Sequence, residues 1–393
     1  LEIPDTPIKE PFHRLVLEPF QTEKPVLAAV KLDGVFSAKM TLKGNPYHWM
    51  TKGVCTWKDG SLSYGDSVAT FTGIDLSLPI WLTNGEDEVP GQNLEGGLSV
   101  RSMRVSFLPE QGLNIPIKAA SNRLFMPIAT ALEVPGGRIR IGPSKIARRV
   151  GLSPVIDTAL HFDALQMEPI LKGIWPRSVK GIAACDLDPI HIEGGNLKSA
   201  GEIKANVFGG ALILSQVGAR GLFTALPVFS LNANWHGLNL AEMTQDTSFG
   251  KIEGVLDGYA KKFEVSNGQL QRFDLLLDTV KTDGVPQKIS VKAVDNIARL
   301  GGGQSPFIGV AGMFVSLFRE FPYRKIGVHA TLENDIFRIH GAIRDGDKEY
   351  LVKRGFFSGV DVINQSKDNR VSFKDMLKRM KRVTDAKGGP VVR

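Results

Sequence analysis

The sequence predicts a mostly β fold: an elongated, strongly curved antiparallel sheet, open along one side, with a few short helices and a basic helix near the C-terminal end. Three observations carry this prediction. Apolar and polar residues alternate with period two over most of the chain. Glycine turns punctuate the alternation. One unit occurs twice in tandem with a period of 73 residues.

The alternation is clearest in the second copy of that unit. Ile252, Gly254, Leu256, Gly258 and Ala260 fall on one face, and Glu253, Val255, Asp257, Tyr259 and Lys261 on the other. Phe273, Leu275 and Leu277 continue the apolar face. Small residues mix with large ones on it, as a trough requires, whereas a tight core favours large residues throughout. Periodicity alone leaves the core of a β-sandwich equally open.

The expected turns are Asp59-Gly60-Ser61-Leu62, Glu95-Gly96-Gly97-Leu98, Gly136-Gly137-Arg138-Ile139, Gly194-Gly195-Asn196-Leu197 and Asn267-Gly268-Gln269-Leu270. In each, glycine supplies the positive φ of a tight hairpin. A second recurring unit is apolar-Pro-apolar, as in Leu78-Pro79-Ile80, Ile115-Pro116-Ile117, Met126-Pro127-Ile128 and Leu226-Pro227-Val228. Proline cannot donate to a ladder, which places these units at sheet edges or crossovers and predicts open edges.

The repeat aligns Leu165 with Leu238, Met167 with Leu240, Gly181 with Gly254, Gly195 with Gly268 and Leu197 with Leu270. Each copy reads as strand, short leucine-bearing turn or helix, strands, glycine turn and strand. Period-two placement within the copies gives a candidate apolar surface of Ile182, Ala184, Ile190, Ile192, Ala233, Trp235, Ile252, Leu256, Phe263, Val265, Leu275 and Leu277.

Residues 1–25 are proline-rich and read as an extended lead-in, and residues 26–300 as the repeating sheet, clearest at 162–280. Residues 301–321 read as a glycine joint followed by an apolar helix from 306, and residues 322–371 as terminal strands. Residues 372–393 read as a basic amphipathic helix with a disordered tail. Ser372 is its expected N-cap, with Asp375 at the capping-box position. Phe373, Met376, Leu377, Met380 and Val383 form one stripe, surrounded by Lys374, Lys378, Arg379, Lys381 and Arg382. This helix either caps the last sheet edge or meets an anionic membrane surface or acidic partner.

Composition excludes several classes. Net charge is +7, and much of the excess lies in residues 367–393, so the body has no basic stripe for nucleic acid. The two cysteines, Cys55 and Cys185, form no C-x-x-C and read as a disulfide or as two buried thiols. The seven histidines never fall at metal-ligand spacing, and no cofactor motif occurs, so neither metal nor cofactor is expected. No apolar run is long enough to span a bilayer, and the chain starts at Leu1 without a signal pattern. The expectation is that a signal or anchor lies outside this chain. Gly65-Asp66-Ser67-Val68 resembles the serine block of GDSL hydrolases, and Asp188-Pro189-Ile190-His191 supplies an Asp-x-x-His. That chemistry needs the serine on a strand-to-helix turn, whereas Ser67 lies between two strand patterns. A hairpin with an inert Ser67, and no catalytic residue, is expected.

Gly237-Leu238-Asn239-Leu240-Ala241-Glu242-Met243, the strand Gly254-Val255-Leu256-Asp257-Gly258 and the turn Asn267-Gly268-Gln269-Leu270 together resemble AsmA/TamB-type cell-envelope proteins. The likeness covers 162–280 well and 26–141 loosely, and 290–383 looks like the closing region of such proteins. The resemblance implies a β-groove with an apolar trough, in the periplasm and anchored to the inner membrane. It implies movement of phospholipid between membranes, with phospholipid and a membrane surface as partners. A sibling role is assembly of outer-membrane proteins, in which an exposed sheet edge adds a client strand.

Overall fold

The computed structural model describes the chain outside residues 21–24, 66–67, 86–91, 106–107, 149–152, 173–178, 246, 301–318, 357, 365–370 and 375–393. Strands account for 66% and helices for 12%, so the protein is mostly β, and every described strand pairing is antiparallel. In chain order the first strands are β1 (Glu2–Pro7), β2 (Val30–Gly44), β3 (Trp49–Tyr64), β4 (Ala69–Thr83), β5 (Leu94–Val105), β6 (Gln111–Ala120), β7 (Arg123–Met126), β8 (Thr130–Val134), β9 (Gly137–Ile141), β10 (Ser144–Ala147) and β11 (Val155–Gln166). They are followed by β12 (Gly181–Glu193), β13 (Asn196–Ser199), β14 (Glu202–Val207), β15 (Gly210–Arg220), β16 (Val228–Asn239), β17 (Ile252–Glu253), β18 (Val255–Ser266) and β19 (Gln269–Val280). The last are β20 (Lys288–Ser290), β21 (Glu320–Glu333), β22 (Ile336–Gly341), β23 (Ile343–Asp345), β24 (Lys348–Arg354), β25 (Val362–Ile363) and β26 (Val371–Ser372). The helices are α1 (Lys9–Phe12), α2 (Glu18–Phe20), α3 (Met167–Leu171), α4 (Leu240–Thr244) and α5 (Val291–Leu300).

The chain divides into two units. Unit 1 comprises residues 1–170, 184–201 and 219–225, and unit 2 comprises 171–183, 202–218 and 226–393. The repeat is real at the level of elements: β11 runs into α3 as β16 runs into α4, and Gly195 and Gly268 occupy matching hairpin turns. In the second copy, Asn239 caps α4 through its side chain, which accepts from the N–H groups of Ala241 and Glu242.

In unit 1, β2 to β6 form a meander in chain order, and the sheet continues β6–β7–β10–β11–β9–β8. Side-chain amides extend it where ladders stop. Asn122 accepts from the Thr83 N–H at 3.0 Å and donates to its carbonyl at 2.9 Å. Gln111 does the same for Glu133, at 2.8 Å each way.

In unit 2, β16–β18–β19–β21–β22 is the main sheet, and β21 also pairs with β20 and β24. Its core gathers Leu238, Leu256, Phe273, Ile289, Leu332 and Leu351 with Val294 and Ile297 of α5. Phe273, Phe337 and Phe373 meet with ring centroids 5.8–6.3 Å apart.

Several expectations are corrected. Residues 1–25 are not one extended lead-in: β1 pairs with β2, and α1, a π-helical stretch His13–Leu17 and α2 follow. Pro11 sits in the first turn of this helical run, where there is no N–H partner to lose. Residues 291–300 form α5 rather than strand, because Ala293, Val294, Ile297 and Ala298 bury one helical face. Arg319 is a bend and Glu320 and Phe321 open β21 instead of ending a helix; residues 306–318 of the expected helix lie outside the described residues. Gly60 and Gly96–Gly97 are strand residues rather than turns. The Trp57 ring packs over Gly60, where a Cβ would lie 2.6 Å from it. Pro79 and Pro116 lie inside long strands but are paired on one side only, Pro79 with Val54 and Pro116 with Gly97; the β4–β5 ladder ends at Ser77 and the β6–β7 ladder begins at Lys118. A side chain at Gly96 would meet Pro79 Cδ at 2.6 Å, so this glycine gives that proline room.

Candidate functional site

The two faces of the unit 1 sheet differ in chemistry. Cross-strand partners share a face, so register assigns each residue to one side. On one face β2 contributes Phe36, Ala38, Met40 and Leu42, and β3 contributes Thr51, Gly53, Cys55 and Trp57. β4 adds Leu76, Leu78, Ile80 and Leu82, and β5 adds Leu94, Gly96, Leu98 and Val100. β6 adds Leu113, Ile115, Ile117 and Ala119, and the series continues through Leu124, Ile146 and Ile156. None of these residues is charged. Most are only half-buried, whereas Ala38, Val100 and Ala119 are buried.

The opposite face carries the charges. Lys118 pairs with Glu95 at 3.0 Å and Arg140 with Asp163 at 2.9 Å. His191 pairs with Asp157 at 2.7 Å, and His161 with Asp186 at 3.0 Å. Exposed pairs of this kind contribute about 0–1 kcal/mol each. Their effect here is to hold charge on one side. Trp81, also on this face, is covered by the Lys52 ammonium 3.4 Å above its ring. A cleft of about 510 Å³ opens here between Lys118, Lys145, Asp157 and His161.

Unit 2 has the same two-sided logic with a different outcome. Its charged face carries His236–Asp257 at 2.6 Å, His329–Asp274 at 2.8 Å and Lys325–Asp278 at 3.1 Å. Its apolar face is closed at one end, where α5 packs against β20, β24 and β25. A second cleft, of about 710 Å³, lies among Phe208, Gly209, His236 and Glu242.

The sequence-predicted surface residues are distributed as follows. Ala233, Ile252 and Leu256 are buried, and Ile252 and Leu256 belong to the closed core. Trp235, Phe263, Leu275 and Leu277 are half-buried against that core, and Val265 is half-buried opposite Phe229 and Leu270. Ile190 and Ile192 lie on β12 within unit 1. Ile182 and Ala184 fall on the side opposite to the buried Ala183, Cys185 and Leu187, and Ile182 is 45% exposed. Their assignment to the apolar face is corrected: the buried phase of this strand is the odd-numbered one up to Leu187, and it changes across Pro189, which has no N–H for the ladder. The unit 1 residues were missed. Their signal was present in the alternation through the Leu78-Pro79-Ile80 and Ile115-Pro116-Ile117 units.

Both cysteines are free thiols. Cys55 is half-buried on the apolar face, and burial raises its pKa. Burial pushes the Cys185 thiol up to about 11. Tyr64 pairs with Ala69, so paired strands precede and follow the segment 65–68. Asp66 and Ser67 themselves lie outside the described residues. Among the described residues no group of three metal-ligating side chains occurs, and no helix is long and apolar enough to cross a membrane.

At the C-terminal end Ser372 stands immediately before the helical residues Phe373 and Lys374. The Ser372 hydroxyl donates to Asp335 Oδ2 at 2.8 Å, and Asp335 Oδ1 accepts from the Lys374 N–H at 3.0 Å. The β21–β22 turn therefore caps the helix start, and these hydrogen bonds hold the Asp335 carboxyl below its ordinary value. Lys378, Arg379, Lys381 and Arg382 lie outside the described residues, as does Asp375. Comparison with family models, curated proteins and solved structures finds no match.

Proposed function

We propose that the apolar face of unit 1 binds the acyl chains of lipids, in the setting of the bacterial cell envelope that the sequence resemblance implies. The observation that supports this reading is the uncharged, half-exposed face running from β2 to β11 behind a charged one. Water contact with so much aliphatic surface is unfavourable, and a contiguous patch of this kind marks an interaction site. Eight strands at about 4.8 Å spacing give the face roughly 34 Å across the strands. Each methylene moved from water onto it contributes about 0.8 kcal/mol. With no charged side chain on the face, an acyl chain finds no fixed register and can slide. The headgroup stays in water. The reading needs no catalytic residue, and it includes phospholipid transfer as the task such a face serves.

The test is organic extraction of the purified chain followed by mass spectrometry. Phospholipid or fatty acid in near-stoichiometric amount is expected. Ile80→Glu, which places a charge on the half-buried face, should lower the lipid content severalfold, with the melting temperature measured alongside as the check on the fold. A lipid-free protein that also takes up no phospholipid from vesicles would overturn the reading.

A further inference from the structure

The apolar face of unit 1 runs out to an exposed hairpin tip, and we infer that this tip docks on the surface of an anionic phospholipid bilayer. The inference rests on the lipid-binding reading above and adds where the protein meets its lipid source. From Thr41 to His48 every residue is exposed. Leu42, on the apolar face, is 69% exposed, and Tyr47 at the β2–β3 turn is 83% exposed. The turn is held in shape: Asn45 Oδ1 accepts from the N–H groups of Tyr47 and His48, both at 2.9 Å. Asn84 fixes its base, accepting from the Trp49 N–H at 2.7 Å and donating to the Tyr47 carbonyl at 2.8 Å. A rigid turn that presents an apolar and an aromatic side chain to water gains by placing them at a bilayer interface, where a tyrosine ring is buried and its hydroxyl stays wet.

Charge selects the kind of surface. Between Asp33 and Asp59 the chain holds Lys39, Lys43, Lys52 and Lys58 and no acid. Lys43 is exposed near the tip, and the exposed Lys39, farther along β2, lies 4.0 Å from Glu2 of β1. Juxtamembrane lysines attract anionic headgroups within about a Debye length. Glu86, Asp87 and Glu88 follow β4 in sequence and lie outside the described residues. The lysines are therefore tested through their own variant.

The experiment is flotation of the full chain with vesicles of phosphatidylglycerol and phosphatidylcholine, compared with phosphatidylcholine alone, over a range of salt. The full chain is expected to float with the anionic vesicles. Leu42→Ser with Tyr47→Ser should weaken partition about tenfold with unchanged melting temperature. Lys39→Gln with Lys43→Gln should weaken it and flatten its salt dependence. Wild-type protein that fails to float, or tip variants that float as wild type does, would overturn the inference. Lipid content of the same preparations is measured in parallel. Lipid present with undiminished flotation of the tip variants overturns docking alone, whereas a lipid-free protein counts against the face itself.

Discussion

Cys55 is the residue whose chemistry reports most simply on the apolar face. It lies between Ala38 and Leu78 in one cross-strand row, half-buried, with a thiol pKa raised by desolvation. Only the thiolate is a good nucleophile, so a raised pKa keeps most of the thiol unreactive at neutral pH. Maleimide should modify Cys55 slowly in lipid-free protein and more slowly still in lipid-loaded protein, while Cys185 stays unmodified until unfolding. Equal Cys55 rates with and without lipid would contradict the placement of cargo. Asp335 makes a second prediction at this scale. Its folded-state pKa is depressed by the Lys374 N–H, then by Ser372. The stabilisation it gives is therefore present above the ordinary carboxylate value of about 4 and is lost as pH falls through the lowered folded value. Thermal melts below pH 5 should show a flatter acid limb for Asp335→Asn than for wild type. Asn122→Ala should cost about 1–3 kcal/mol, because the Thr83 N–H and carbonyl lose both partners at once; denaturant melts would measure it.

At the level of elements, the strands were legible and the helix that decides the site was not. Alternation, the hairpin turns at Gly136, Gly194–Gly195 and Asn267–Gly268, and the 73-residue repeat all correspond to observed elements. What alternation cannot report is whether an apolar face stays open. Leu78 and Leu256 look alike in sequence; one is half-buried on the unit 1 face and the other lies in the core that α5 helps to close. The spacing of Val294 and Ile297 is helical, but the segment directly follows a long period-two run that ends near Lys292, and the span 26–300 takes it in with the sheet. Tertiary covering, not local pattern, separates the two outcomes. The start of the C-terminal helix follows the same rule. Phe373 is 8% exposed against Phe273 and Phe337, so its ring is a plug in the unit 2 core. Phe373→Ala should destabilise unit 2 by about 3 kcal/mol, and deletion of residues 372–393 should lower the melting temperature at least as much. Unchanged melting of both variants would show that this contact is dispensable.

For the whole molecule, the account turns on which face of the unit 1 sheet holds lipid. Leu78 and Ser77 are neighbours on β4 that point to opposite sides. One belongs to the uncharged face and the other to the side that carries Lys52 and Trp81. A photo-crosslinking phenylalanine analogue placed at each in turn, irradiated with the protein in contact with phospholipid and read by mass spectrometry, compares the two faces under identical conditions. The account predicts a lipid adduct at position 78 and little or none at position 77. Equal adducts at both positions, or an adduct at 77 alone, would contradict it.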